Sequence, residues 1–364
     1  MVLIWYTSGH DILPAWGSTG RPCMTINGRR CTLFKPLHDQ SDQIHPIWLW
    51  LDPTTRCNLS CRLCYTKQSH GKLDLEPDDL EQVLIKLATS SAMKVKGIHL
   101  NWRGEPLMNP YFAELLAITR RLLPHSPLQW HTNGTLLTPK RVKEILAVPY
   151  SHTIYVSIDG GNQASHDLNR GEGSFQKTMR GLRTLLDLRG RDHGHVRVGV
   201  YQIDLNEPLE DYDSEFLELV ARVDNHVKVT PLLPGGAHHK IRELDDLESD
   251  EALHRRMSQD INPSLPVPTG ACFWAGHTLC MAPDGETSIC VISHGAQGVV
   301  GNLMTETAET VVGRAVDFRR RMAEDGRQSI LLCAGCRKPE GEIHAKHTAA
   351  LRRADGREPA RQYA

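Results

Sequence analysis

From residue 46 to residue 232, short runs with apolar residues at every second position alternate with longer runs at helical spacing. This alternation restricts the fold more than any other property of the chain. Residues 46–52 read as a strand, with Ile47, Leu49 and Leu51 opposed to Trp48 and Trp50. Residues 78–92 read as a helix that places Leu80, Val83, Leu84 and Leu87 on one face. The series continues with strands at 95–102, 128–132, 153–158, 196–203 and 227–232, and with helices at 111–123, 139–148, 175–188 and 214–223. Thr138 stands at the N-cap position of the helix at 139–148. About six βα units in strict succession require a parallel sheet, because each strand is reached by a helical crossover. The class is therefore α/β, with the sheet open or closed into a barrel. Reactive groups are expected at the C-terminal ends of its strands.

Around this core, residues 46–233, lie an N-terminal extension (1–45), a Gly/Pro-bounded linker (234–270) with an acidic helix at 243–252, a second cysteine-bearing segment (271–340) and a charged tail (341–364). Within the extension, Asn27-Gly28 marks a two-residue hairpin turn. A net charge of -1 argues against nucleic acid or a membrane surface as partner, since both call for a basic excess. The opening MVLIWYTSGHDILPAW has neither a basic start nor a long apolar run. No signal peptide or membrane span is expected there, and a cytoplasmic location follows as the expectation. In a reducing compartment, clustered cysteines serve metal or redox chemistry more often than disulfides.

Three of the ten cysteines, Cys57, Cys61 and Cys64, fall in CNLSCRLCY directly after the first strand of the series. A structural zinc site takes four protein ligands, and a disulfide would leave one thiol over. A four-iron cube held by three thiolates keeps one iron open to a further ligand.

The CxxxCxxC spacing followed by the aromatic Tyr65, at the end of the first strand, resembles the signature of the radical S-adenosylmethionine (radical SAM) superfamily. Asn101-Trp102-Arg103-Gly104-Glu105-Pro106 is similar to that family's Gly-Gly-Glu element, with Arg103 where the first glycine is usual. His131-Thr132-Asn133-Gly134-Thr135 resembles its Thr-Asn-Gly turn, and Val156-Ser157-Ile158-Asp159-Gly160 ends the next strand. The resemblance implies a partial (β/α)6 barrel with a 4Fe-4S cluster on Cys57, Cys61 and Cys64. The open iron of that cluster would bind SAM and cleave it reductively to a 5′-deoxyadenosyl radical. Cofactor contacts are implied for Tyr65, Gly104, Glu105, Asn133, Ser157, Arg170 and Gln202, with Glu105 toward the methionine ammonium, Ser157 toward the ribose or carboxylate, and Arg170 toward the carboxylate. An external one-electron donor such as flavodoxin or ferredoxin is implied as well.

Cys272, Cys290, Cys333 and Cys336 form the second set, and four thiolates can enclose either a zinc ion or a 4Fe-4S cluster. Behind such a core, CFWAGHTLCMAPDGETSICV with the later GNL and CAGC resembles the SPASM/twitch module, a small cysteine-rich α+β unit. That resemblance implies one auxiliary 4Fe-4S cluster on these four thiolates. With no open iron, it would serve electron transfer or structure rather than direct substrate binding. Cys280 is left over, as a small buried hydrophobe or as a catalytic hydrogen-atom donor to a substrate radical. Cys23 and Cys31 read as structural thiols.

The reaction is expected to begin with hydrogen-atom abstraction from a C–H bond. Oxidation of a small molecule such as a sugar or aminocyclitol, through the auxiliary cluster, is favoured, because an extension of about 45 residues is short for a separate peptide-recognition domain. Epimerisation with Cys280 as donor and peptide maturation are the alternatives. An iron-sulfur electron carrier or redox sensor is the non-enzyme alternative, and it would have no use for Glu105, Ser157 and Arg170 around an open iron. His238 and His239 read as a solvated loop, and Trp48, Trp50, Trp102 and Trp130 as core packing.

Overall fold

The structure is a computed structural model. It describes residues 15–16, 22–26, 29–31, 45–62, 64, 71–203, 205, 207–229, 275, 277–291, 298–326, 329–330 and 333. Strands β1 (Ala15–Trp16), β2 (Pro22–Ile26) and β3 (Arg29–Cys31) make a small antiparallel sheet. Ile26 pairs with Arg29, so β2 and β3 are antiparallel partners as expected of a hairpin, and Asn27 and Gly28 themselves lie outside the described residues.

A nine-stranded sheet carries the rest. Strands β4 (His45–Leu51), β5 (Met93–His99), β6 (Leu128–Thr132), β7 (His152–Asp159), β8 (Val196–Ile203) and β9 (Asn225–Val229) lie in chain order, each parallel to the next. Between them run α1 (Pro77–Thr89), α2 (Phe112–Leu122), α3 (Pro139–Leu146), α4 (Gln163–Arg170), α5 (Ser174–Arg189) and α6 (Ser214–Val220). Right-handed crossovers between successive neighbours put the connecting helices on one face of the sheet. Thr138 caps α3 by accepting from the Arg141 N–H, and α1 buries the expected Leu80, Val83, Leu84 and Leu87. Each such side chain stabilises the fold by roughly 1.5–3 kcal/mol relative to exposure.

The two faces of the sheet differ in kind. Leu49, Ile98, Trp130, Ile154, Val156, Val198 and Val200 point to the helices, and the Trp130 ring meets Phe112 of α2 edge-on at 4.6 Å. On the opposite face the alternate residues are aromatic and polar: Trp48, Trp50, His99, Gln129, His131, Tyr155 and Tyr201. Trp50 stacks on His99 at 3.9 Å, and Gln129 hydrogen-bonds the His99 ring. Trp50, Trp102 and Trp130 are buried and Trp48 half-buried, so the tryptophans pack as their strand positions suggest.

Residues 271–340 read as a module of their own, yet β10 (Thr278–Met281), β11 (Glu286–Ser288) and β12 (Val299–Asn302) are hydrogen-bonded into the same sheet. β10 runs parallel to β4 and satisfies that strand's otherwise open edge, and β11 and β12 follow antiparallel. The attachment is reinforced by Lys86 of α1, whose Nζ donates to the Leu303 and Met304 carbonyls at 3.1 and 2.8 Å. Trp102 Nε1 donates to the Val291 carbonyl at 2.7 Å, and α7 (Ala308–Asp325) completes the segment. The acidic helix expected at 243–252, His238, His239 and the tail lie outside the described residues. Among the described residues no helix is long and apolar enough to cross a membrane.

Candidate active site

The cysteine loop leaves β4 through a rigid root. Residues 53–55 pair with 73–75, through Thr55 N–H to Leu73 O and Leu75 N–H to Pro53 O, both at 2.9 Å. Arg56 clamps the same two segments by donating Nε to Asp74 at 3.0 Å and Nη2 to both Asp74 and the Met108 carbonyl. Gly104 packs directly on this root. A Cβ there would lie 2.1 Å from the Thr54 carbonyl oxygen and 2.5 Å from that of Arg56. Gly104, implied as a cofactor contact, thus makes its close approach to the chain's own backbone.

Farther along the loop, Asn58 joins the end of β6. Its Nδ2 donates to Thr135 Oγ1 at 2.8 Å, and its Oδ1 accepts from Asn133 Nδ2 at 2.9 Å. The Arg62 N–H donates to the Asn169 carbonyl at the end of α4. Glu105 is buried beneath, with Oε1 accepting from Thr132 Oγ1 at 2.6 Å and Oε2 from the Asn133 N–H at 2.7 Å. Burial raises its pKa, and these bonds with the Leu107 N–H oppose the rise. Glu105 therefore welds the β5 loop to the end of β6.

Arg170 lies beside Cys61 and Cys64, whose charges its own guanidinium feels. Its Nε and Nη2 both donate to Asp159 at 2.8 Å, and its Nη1 makes no hydrogen bond to a described residue. Burial alone would raise the Asp159 carboxyl, but Arg170, together with His166 and the Asn169 amide, outweighs it and holds the pKa below the ordinary range. Ser157 is half-buried two residues earlier on the same face, in register with Tyr201, and makes no hydrogen bond to a described residue.

Gln202 is placed differently from Ser157. It pairs with Ile158, which faces the helices, and its Nε2 donates to the Gly160 carbonyl and Tyr212 Oη while its Oε1 accepts from His226. Its amide is fully spent inside the fold. Tyr65 lies outside the described residues.

The three loop thiols suit metal ligation. Burial pushes Cys57 up to about 12 and Cys61 up to about 11, so neither is a stable thiolate by itself, and a metal replaces the proton at such sites. Cys57 and Cys61 each feel the charge of Cys64, so the three belong to one group. No three described His, Cys, Asp or Glu side chains are drawn into a tight single-ion cage. A four-iron cube spaces its thiolates more widely than a tetrahedral ion does.

Of the second set, Cys290 is half-buried and Cys333 buried, whereas Cys272 and Cys336 lie outside the described residues. Cys280 is fully buried on β10 beside Trp50, close enough to Cys290 for their charges to interact. Burial keeps its thiol protonated, well above the ordinary cysteine range.

Several residues at the site carry no motif. Asp52, at the end of β4, is fully buried against Arg103, which donates Nε at 2.9 Å and lies over the Trp102 ring. Burial lifts Asp52 to about 6 against the pull of Arg103. His131 is only half-buried although it sits in a central strand, and it stacks on Tyr155 and meets Tyr201 edge-on. Burial holds it neutral, at about 3, and its ring makes no hydrogen bond to a described residue. Strand alternation was the available signal, since His99, His131, Tyr155 and Tyr201 occupy the phase opposite the helix-facing residues.

Residues 51–214 match the model of the Radical SAM superfamily. The mycofactocin maturase MftC of Mycolicibacterium smegmatis is 25% identical over 312 residues, which span 80% of this chain and 75% of MftC. The AdoMet-dependent heme synthase of Methanosarcina barkeri is 33% identical over 205 residues, 55% of either chain. Among solved structures, Streptococcus suis SuiB bound to the precursor peptide SuiA has the same fold, with a TM-score of 0.53 at 14% identity over 80% of this chain and 71% of SuiB. The matched span begins at the end of β4 and encloses the cysteine loop, Glu105 and the Asp159–Arg170 pair, so residues 51–214 match the radical SAM superfamily and the chain is an enzyme.

Proposed function

We propose that the chain binds a 4Fe-4S cluster on Cys57, Cys61 and Cys64, cleaves SAM at it and modifies a peptide. The observation that carries the reading is the meeting of the three thiols with half-buried Arg170 and buried Glu105 at the C-terminal ends of parallel strands. When bound, cluster and SAM supply a 5′-deoxyadenosyl radical that abstracts hydrogen. The remaining work falls to the chain. Asp159 fixes the plane of Arg170 and leaves Nη1 to receive the SAM carboxylate, an oxyanion that Arg binds well. Glu105, with Thr132 and the Asn133 amide, holds the β5 and β6 ends at a fixed spacing, and its remaining lone pairs suit the methionine ammonium. Ser157 offers a hydroxyl on the same face, and the Asn58–Asn133–Thr135 bonds brace the loop. The six parallel strands are read as a partial (β/α)6 barrel whose aromatic and polar face, with neutral His131, Tyr155 and Tyr201, lines the substrate space.

The auxiliary 4Fe-4S cluster is placed on Cys272, Cys290, Cys333 and Cys336, as an electron acceptor for the substrate radical. Full burial of Cys280 between β4 and β11 supports its packing role over hydrogen donation, and with it oxidation over epimerisation. For the substrate, the relative that spans four fifths of this chain is named a maturase, whereas the match to the heme synthase spans 55%. SuiB, of the same fold, was solved with a precursor peptide. These favour a peptide over the small molecule expected from the short extension.

The test is stimulation of 5′-deoxyadenosine formation by size-fractionated extract of the source cells, with and without protease pretreatment. Stimulation abolished by protease supports the peptide reading. A stimulating fraction that resists protease and passes a small-molecule filter overturns it.

A further inference from the structure

Helix α4 brings three side chains to one carboxylate. His166, Asn169 and Arg170 fall at i, i+3 and i+4, on one face, and all three meet Asp159 at the end of β7. The Asp159 N–H donates to His166 Nδ1 at 3.2 Å, and Asn169 Nδ2 donates to Oδ2 of the carboxylate. Oδ2 also accepts from Arg170 Nε, so one oxygen holds donors from two different side chains. The helix has only eight residues but is closed at both ends. Asn162, itself held by Glu207, caps it in a reciprocal box with Ser165, and Gly171 ends it at φ 99°.

Asn169 faces two ways. Its main-chain carbonyl, left over at the last turn of the helix, accepts from the Arg62 N–H at 2.8 Å, between Cys61 and Cys64. Its side chain is buried and holds the carboxylate that orients Arg170. A carboxylate and a guanidinium joined only to each other can pivot together about the Asp159 side chain, and a further donor from a fixed helix removes that freedom. Under the function proposed above, SAM is held both at the cysteine loop and, through its carboxylate, by Arg170. Two anchors share one ligand well only when their separation is fixed. We propose that Asn169 is a positioning residue for SAM, joining the cysteine loop to the Asp159–Arg170 pair and so fixing where the guanidinium stands relative to the three thiols. This joint controls SAM affinity rather than the cleavage step.

The assignment rests on the proposed SAM binding, and the experiment separates the two. The full chain is reconstituted anaerobically, its iron counted, and SAM titrated calorimetrically into the oxidised, loaded form, where without reductant it is bound but not cleaved. Asn169→Leu keeps the main-chain carbonyl and removes the donor. It should raise the Kd for SAM about tenfold or more, the size of one hydrogen bond to a charged group, and raise KM alike while kcat at saturating SAM holds. In the Arg170→Lys chain the same substitution should change the Kd by less than about twofold, because residues that act through one another are not additive. Asn169→Ala is the second variant and should match Asn169→Leu. An unchanged Kd at full iron loading, an undiminished loss of affinity in the Arg170→Lys chain, or a fall in kcat without a rise in KM overturns the assignment. Loss of iron from both variants makes Asn169 a brace of the loop alone and overturns it too. A loaded wild-type chain that does not bind SAM sinks the functional reading together with it, whereas binding indifferent to Asn169 sinks this inference alone.

Discussion

Asp159 and Arg170 are both enclosed, and each is tolerable there because of the other. Removing the cation alone strands a carboxylate, which is costlier than losing the whole pair. Arg170→Met should therefore lower the stability of the cluster-free chain by about 3–5 kcal/mol in urea denaturation, with Arg170→Lys falling between. The Asp159 carboxyl has a lowered pKa in the folded chain, so its contribution is fully present above the ordinary carboxylate value and is lost as pH falls through the folded one. His131 makes a different prediction. His131→Phe keeps a ring against Tyr155 and should change stability by less than about 1.5 kcal/mol. Substrate-stimulated 5′-deoxyadenosine formation should nevertheless fall at least about tenfold, the worth of one lost hydrogen bond to substrate. Unchanged stimulation would remove His131 from the substrate space.

At the scale of elements, the turn at Gly134 and helix α5 constrain each other. Gly134 has φ 78°, in the left-handed region that suits glycine, and a Cβ on Gly181 of α5 would lie 2.0 Å from the Gly134 carbonyl oxygen. Helix propensity alone favours alanine over glycine by about 1 kcal/mol, yet Gly181→Ala should destabilise by roughly 1–3 kcal/mol, because backbone must move. A urea midpoint that rises would contradict the contact. Much at this scale was legible in the sequence. The α1 face, the Thr138 cap and the β2–β3 pairing follow from spacing and turn chemistry, which are local. The path of β10 was not legible, because pairing with β4 depends on an open sheet edge more than two hundred residues away. Gln202 shows the same limit at finer grain. Its position at a strand end is readable, but its phase, shared with helix-facing Ile158, sends the amide to Gly160, Tyr212 and His226. Glu105 was singled out as a cofactor contact, whereas its bonds to Thr132 and Asn133 arise only when two strand ends come together.

For the whole molecule, the buried His99, His152 and His166 and the half-buried His131 set the acid limit. Burial lowers His131 to about 3 and His152 and His166 to about 4, and holds His99 well below its ordinary value. The unfolded chain takes up protons on all four below about pH 6.5, so stability is fully present above that value and is lost on acidification. Asp52 and Glu105, whose folded pKa values are raised, oppose the loss in part. With about two net protons taken up on unfolding, the cluster-free chain should lose on the order of 3 kcal/mol per pH unit between about pH 6 and 4.5. A flat profile across that window would contradict the burial of these imidazoles. The larger claim is that the nine-stranded sheet carries a radical-generating centre at the root of β4. It is tested most directly by incubating the anaerobically reconstituted chain with SAM and a low-potential reductant. The account predicts 5′-deoxyadenosine and methionine in equal amounts, and none from Cys61→Ala. A fully iron-loaded chain that leaves SAM intact under every reductant, or a Cys61→Ala chain that still cleaves it, would contradict the account.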